Sequence, residues 1–422
     1  MTQQAKPSGT ISSEKRPRVY SVEFWRFAFT ILVTLYHLEI FFQRKIMPSG
    51  TTAVEFFFIL AGFTIAMSAA RKIENIETRQ MSTRDAHRHA LEFMKKKLSV
   101  IYPMLAVTLI LAIVVLPLVT PPIPMFQPPV TDGLWTRFLQ RLGALANSEW
   151  EWLAMVGTPM GFNNATSDSA PIVPLWFLTQ LFIVGYMFSF LMSRKYDLMM
   201  FAAPLIAVLG YTFFVLNSEN ILDFYVKMGV FNAGTVRAIS EMAMGVSLYQ
   251  LYTYLSGRNW KLLGKILLQL LEIYAIYRFC VLTFFADLSI DNFRRIPYIL
   301  IIILLSFANL TFLTKLLNRK FMEILGKISL PIFLIHFPLA TLYVSVLFAV
   351  RRSPEARNLP QFILGAGGGG IRNSQLSVGD LLLYLPFVII VSILMLCLHW
   401  GVRKLCARIC NRNAEIGDQM QE

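Results

Sequence analysis

Ten stretches of mostly apolar sequence, at 20–43, 53–70, 98–118, 173–193, 198–216, 232–255, 262–286, 295–317, 326–349 and 379–402, constrain this chain more than any other feature. A run of roughly 20 such residues, wound as an α-helix, crosses the ~30 Å hydrocarbon core of a bilayer. Inside lipid every backbone N–H and C=O must be satisfied within the protein, so each run is expected to be helical. The fold class that follows is all-α: a polytopic integral membrane protein of about ten transmembrane helices. Composition agrees, with 55% hydrophobic and only 15% charged residues. The net charge of +14 does not point to nucleic acid, because Lys and Arg sit in short clusters between the apolar runs. The bilayer is the expected partner, nucleic acid is not, and oligomeric state is left open.

Charge distribution orients the spans. With the N-terminus inside, the inner segments 1–19, 71–97, 194–197, 256–265, 315–327 and 403–422 carry 25 Lys and Arg. The outer segments 44–52, 119–172, 217–237, 287–295 and 350–378, counted to include the basic residues at the starts of the spans that follow, carry 12 despite their greater length. Cytoplasmic loops hold the excess of positive charge, so both termini are expected to be cytoplasmic. The chain divides accordingly into an inner tail 1–19, a membrane domain 20–402 and an inner tail 403–422. The first apolar run, preceded by Lys15, Arg16 and Arg18, reads as a retained signal-anchor helix. The inner segment 71–97 reads as a basic, amphipathic interfacial stretch. The glycine run Gly365–Gly370 reads as a flexible linker. Cys280, Cys397, Cys406 and Cys410 have no zinc-like spacing and read as free thiols, and no metal site is expected.

Ionisable residues inside spans are costly, roughly 2.5–3.5 kcal/mol each on insertion scales, and call for a reason. The first span holds Glu23, Arg26 and His37. Arg26 and His37 are eleven residues apart, which puts them on one helix face ~16 Å apart along the axis, while Glu23 is within pairing distance of Arg26. Two readings stand: a polar site, or an Arg that snorkels to headgroups beside a His that bonds a neighbouring helix. The second span opens on Glu55, followed by Phe56-Phe57-Phe58 and a glycine, Gly62, suited to close helix packing. In the sixth span Arg237 and Glu241, four apart, are expected to pair. His336 lies mid-span between Pro331 and Pro338. Glu272 and Arg278 carry no readable role.

Together these residues resemble the acyltransferase 3 family of bacterial inner-membrane O-acyltransferases. The first span, Glu23-Phe24-Trp25-Arg26 through His37, resembles the family's hallmark Arg and His separated by ten residues. Glu55 with the Phe run and Ala61-Gly62-Phe63 resembles its acidic residue followed by FFxxSGF. Ile101-Tyr102-Pro103 resembles its RxxRIxP element, and Pro174-Leu175-Trp176-Phe177-Leu178 its WFL span. Gly326-Lys327-Ile328-Ser329 through His336-Phe337-Pro338 is similar to its late glycine-to-histidine segment. Two positions depart from the pattern: Ala61 stands where the family has serine, and Lys97 and Val100 stand where it has two arginines.

The resemblance implies transfer of an acyl group, acetyl by preference, from cytoplasmic acyl-CoA to a hydroxyl of a cell-surface or lipid-linked carbohydrate, at the bacterial cytoplasmic membrane and with no bound cofactor. Such chemistry needs a base for the alcohol and positive charge or donors for the oxyanion. His37 is the candidate base, or a transient acyl carrier. Arg26 would orient the donor, and Glu55 would bond a sugar hydroxyl or tune His37. Glu23, His336 and Trp176 would support them. Lys96, Lys97 and Tyr102 would bind the donor, with the Lys95-Lys96-Lys97 run standing in for the missing arginine. The rival readings are a transporter or flippase of a glycan or lipid-linked substrate, and a non-catalytic family member.

Overall fold

The computed structural model describes residues 18–38, 47, 50–74, 76, 80–112, 135–136, 139, 175–217, 227–228, 231–286, 294–350 and 378–419. Most of the outer loops 119–172 and 350–378, with the glycine run and Pro174, lies outside the described residues. In chain order the helices are α1 (Tyr20–Leu38), α2 (Ala53–Ile73), α3 (Thr83–Ile110), α4 (Leu175–Arg194), α5 (Tyr196–Asn217), α6 (Ala233–Ser256), α7 (Leu262–Phe285), α8 (Ile296–Ala308), α9 (Phe312–Leu317), α10 (Met322–Val350) and α11 (Val378–Gln419). A 3-10 turn (Gly50–Thr52) precedes α2, and a two-residue antiparallel ladder, Lys227–Met228 with Phe231–Asn232, precedes α6.

A helix stands in each of the ten apolar stretches. Six of them, α2, α4, α5, α7, α10 and α11, are long and apolar enough to cross a membrane by length and composition. Their surfaces differ in the way a bilayer requires. In α2, α4 and α10 most of the apolar window is buried inside the protein, whereas in α5, α7 and α11 it is mostly outward. Phe201, Leu216, Leu267 and Leu394 are exposed on those outer helices. Apolar area on this scale has no stable place in water and is covered by lipid chains.

Three elements differ from the sequence reading. The basic stretch before residue 97 is not a separate interfacial helix: α3 starts at Thr83, capped by Ser82, and runs unbroken into the third apolar stretch. Its first turns dock on α4 through His87 Nδ1 and the Tyr186 hydroxyl (2.5 Å) and through His89 Nδ1 and Ser193 Oγ (2.8 Å). The stretch 295–317 is two helices. Asn309 ends α8 in the left-handed region (φ 52°), which asparagine tolerates better than most residues, and Thr311 caps α9. This break gives Gln269 and Glu272 of α7 their role, since both accept hydrogen bonds from the start of α9 (Phe312 N, 2.7 Å; Thr314 Oγ1, 2.9 Å). Finally, α11 continues past residue 402 into the expected tail.

Two helix pairs organise the interior. The α2 and α6 helices touch backbone to backbone at Gly62 and Gly245. A Cβ on Gly62 would lie 2.0 Å from the Met242 carbonyl oxygen, and one on Gly245 2.0 Å from that of Ile59. The α1 helix packs chiefly along α10, and this seam carries most of the polar residues described next.

Candidate active site

Residues spaced seven apart on two helices meet twice along the seam. Thr30 of α1 faces Ser329 of α10, hydroxyl to hydroxyl at 2.8 Å, and His37 faces His336, Nδ1 to Nε2 at 2.9 Å. Both pairs have the same sequence separation of 299 residues, so the helices run side by side in one register. The pairs are ~10.5 Å apart along the axis. Each hydroxyl of the lower pair also reaches the Arg26 carbonyl (2.8 and 3.2 Å), tying the backbone of the arginine turn to α10.

The histidine pair is buried, with exposures of 8% for His37 and 1% for His336. Its surroundings fix which nitrogen carries each proton. His336 Nδ1 lies 2.8 Å from the Phe333 carbonyl and 3.1 Å from that of Ile332, and a carbonyl only accepts, so Nδ1 bears the hydrogen. With both rings neutral, His336 Nε2 must then accept, and His37 Nδ1 donates to it. The lone pair of His37 is left on Nε2. The His336 carbonyl in turn accepts from the Tyr384 hydroxyl of α11, so a third helix holds the assembly.

Toward the N-terminal end of the seam, Glu23 is clasped by two arginines, with Arg18 at 2.7 Å from Oε1 and Arg26 at 2.8 Å from Oε2. The carboxylate sits in the space left by Gly326, where a Cβ would lie 1.9 Å from Glu23 Oε2. Arg18 also reaches Glu323 (3.0 Å), which pairs with Lys327 at 2.8 Å as well.

Beside this clasp opens a cavity of about 860 Å³. Arg18, Arg26, Arg71, Lys96 and Lys97 line it, and the side chains of Arg71, Lys96 and Lys97 are exposed, which makes this the mouth. The remaining wall is largely apolar, and it reaches Thr30, Ser329 and Phe333 at the foot of the histidine pair. The Phe333 ring lies 6.1 Å from that of His336. Ala61 and Val100, the two departures from the family pattern, are both in the wall.

The remaining candidates fall elsewhere. Tyr102 is 42% exposed and does not line the cavity, because on α3 it points about 100° away from the inward-facing Ile101. Glu55 belongs to a second, fully buried cluster rather than to the histidine pair. Its Oε1 accepts from Arg237 Nη2 at 3.2 Å, Arg237 Nε is 3.7 Å from Glu241 Oε1, and the Tyr211 hydroxyl donates to that oxygen at 2.9 Å. The expected Arg237–Glu241 pair is present, with Glu55 as the closer partner. Trp176 lies against this cluster, its ring 5.7 Å from the Arg237 guanidinium. Such a buried network costs too much to leave half-paired and fixes how α2, α5 and α6 meet.

Sequence reasoning missed Arg18, Arg71, Thr30 and Ser329. The two arginines lie at helix ends, where cations are ordinary, and single hydroxyls in membrane helices carry no distinguishing pattern. The shared seven-residue spacing of Thr30 and His37 with Ser329 and His336 was the one available signal. Among the described residues no group of three or more His, Cys, Asp or Glu is arranged to hold a metal ion.

A family model described as an acyltransferase domain matches residues 19–402. No curated protein and no solved structure matches the chain. The match takes in α1 with its clasped arginine, the α1–α10 histidine pair and the cavity wall between them. The chain belongs to the acyltransferase 3 family.

Proposed function

We propose that the protein moves an acyl group from acyl-CoA to a hydroxyl of a carbohydrate, cell-surface or lipid-linked, at the bacterial cytoplasmic membrane. The observation that carries this reading is the cavity with a basic mouth whose inner end reaches Phe333, in ring contact with His336, the hydrogen-bond partner of His37. Phosphates are the strongest anions of CoA, and Arg18, Arg71, Lys96 and Lys97 offer them charge and donors. Lys96 and Arg71 line the same cavity as Val100 and supply the cation that the family pattern has at that position. The pantetheine arm then runs down the apolar wall and brings the thioester past Thr30 and Ser329 toward the histidine pair.

The chemistry follows from the tautomers. His37 Nε2 takes the proton of the acceptor hydroxyl as its oxygen adds to the thioester carbonyl carbon. The tetrahedral intermediate collapses with loss of the C–S bond, and the departing CoA thiolate recovers the proton from His37. As His37 becomes positively charged, its Nδ1–H bond to His336 strengthens, so the pair supports charge where it develops. Arg26, fixed by Glu23, holds the donor side of the site.

The test is acyl transfer by purified protein in lipid vesicles with no ion gradient, using radiolabelled acetyl-CoA and membranes of a deletion strain as the source of acceptor. His37→Ala should lower transfer by about 10²–10⁴-fold, the usual worth of a general base. Full activity in a folded His37→Ala protein refutes the assignment, and transfer that requires a gradient favours a transporter.

A further inference from the structure

The cavity is deep and its two ends differ. Along α2 it extends from Arg71 at the mouth to Phe57, fourteen residues and so ~21 Å of helix. The mouth is basic, and the closed end is aromatic. Phe57, Phe177 and Phe333, from α2, α4 and α10, all line the cavity and contact one another in a ring, with centroids 6.0 Å (57–177), 5.9 Å (57–333) and 5.4 Å (177–333) apart. Phe177 and Phe333 are 4% and 5% exposed, so neither has room to swing aside without displacing its neighbours. Behind Phe177 stands Phe58, at 4.5 Å, and behind Phe333 stands His336. One turn toward the mouth from Phe57, the wall is made by Ala61, the smallest side chain on the α2 face of the cavity.

We propose that the Phe57–Phe177–Phe333 floor is the length stop for the acyl group and that Ala61 sets the width just above it, so that this chain selects a short, unbranched aliphatic acyl donor. The inference rests on the acyl-CoA reading above. With the phosphates at the mouth, the acyl group is the deepest part of the donor. It meets a surface that offers it only aromatic carbon, and His336 pins Phe333 from behind. A pocket of this kind discriminates by volume: one methylene too many must displace a ring, and each methylene within the limit gains contact. Such discrimination amounts to ~10-fold or more per methylene in a closed apolar pocket. Serine at position 61 would place a hydroxyl in this wall, and alanine keeps it apolar.

The experiment is equilibrium binding of non-hydrolysable S-alkyl-CoA thioethers (ethyl, butyl, hexyl, octyl) to the full-length protein in nanodiscs, with each Kd expressed relative to that of CoA for the same variant. For the unmodified protein the relative affinity should rise over the shortest chains and then fall by ~10-fold or more once the stop is reached. Phe177→Ala and Phe57→Ala should move that fall to longer chains and raise the octyl-to-ethyl preference by at least ~10-fold. Ala61→Leu should move it the other way, so one variant that fails to fold leaves the opposite shift to be read. Binding of the thioethers with a chain-length profile that none of the three variants alters overturns the length stop and leaves the donor reading intact. No binding of CoA or any thioether by the unmodified protein removes the donor reading, and the length stop with it.

Discussion

In the proposed mechanism His336 acts through its neighbour. Two backbone carbonyls of its own helix occupy Nδ1, and Nε2 is thereby turned into the acceptor for His37. It is a positioning residue, and its removal should be felt in turnover rather than in donor binding. His336→Phe keeps the volume and removes the acceptor, which frees the His37 ring to rotate or change tautomer. We expect kcat to fall ~10²-fold, within the range of base catalysis, with the KM for acyl-CoA changed by less than ~2-fold. His336→Gln, which can still offer an oxygen to His37 Nδ1, should recover part of the loss. A matching rise in KM, or no rescue by Gln, would mean that His336 acts chiefly by holding Phe333 in the cavity floor rather than by orienting His37. At this scale the sequence was informative about the unusual and silent about the ordinary. Arg26 and His37 stand out because charge inside a span is costly, whereas Thr30 and Ser329 look like any hydroxyls until the fold brings them to 2.8 Å.

Between helices, the crossing of α2 and α6 shows what spacing can and cannot convey. Gly62 announces a close approach, since a glycine in an apolar run leaves room for a neighbouring backbone, but its partner Gly245 lies 183 residues on and no periodicity links the two. The same holds for Glu55 and Arg237, whose pairing is set by the crossing. Local breaks were more legible in principle: Asn309, a residue suited to positive φ, marks the end of α8 inside what reads as a single apolar stretch. Conversely, α3 lacks any glycine or proline between Thr83 and Tyr102, and its basic and apolar parts therefore form one helix despite their different surroundings. The crossing makes a firm prediction. Gly62→Ala and Gly245→Ala each put a Cβ 2.0 Å from a carbonyl oxygen of the facing helix, so the helices must separate. Each substitution should destabilise the folded protein by about 1–3 kcal/mol, the cost of overpacking, seen as a lower midpoint of thermal unfolding in detergent. Gly401, with open space around it, serves as the control: Gly401→Ala should leave the midpoint unchanged or raise it, since alanine is the better helix former.

The whole molecule is polarised, and its polarity should be measurable as sidedness. The basic mouth lies at the C-terminal end of α2 and in the first half of α3, where the chain also concentrates its Lys and Arg. Glu55 starts α2 at its other end, and His37 lies near the far end of α1. A donor with several phosphates cannot cross the bilayer unaided and must enter from the side on which the mouth opens. From the charge bias that side is expected to be the cytoplasm. In the proposed mechanism the acceptor hydroxyl comes to His37 Nε2 from the opposite side and meets the thioester there. Sealed membrane vesicles of known orientation decide the matter. Acyl-CoA added to the medium should support transfer in inverted vesicles, whose cytoplasmic face is outward, and should fail in right-side-out vesicles until they are permeabilised. Raising the salt concentration should weaken use of the donor by screening the exposed cations of the mouth, an effect that Lys96→Gln with Arg71→Gln should blunt. Equal activity in both kinds of sealed vesicle would mean that the donor is used from either face, and would overturn a one-sided mouth.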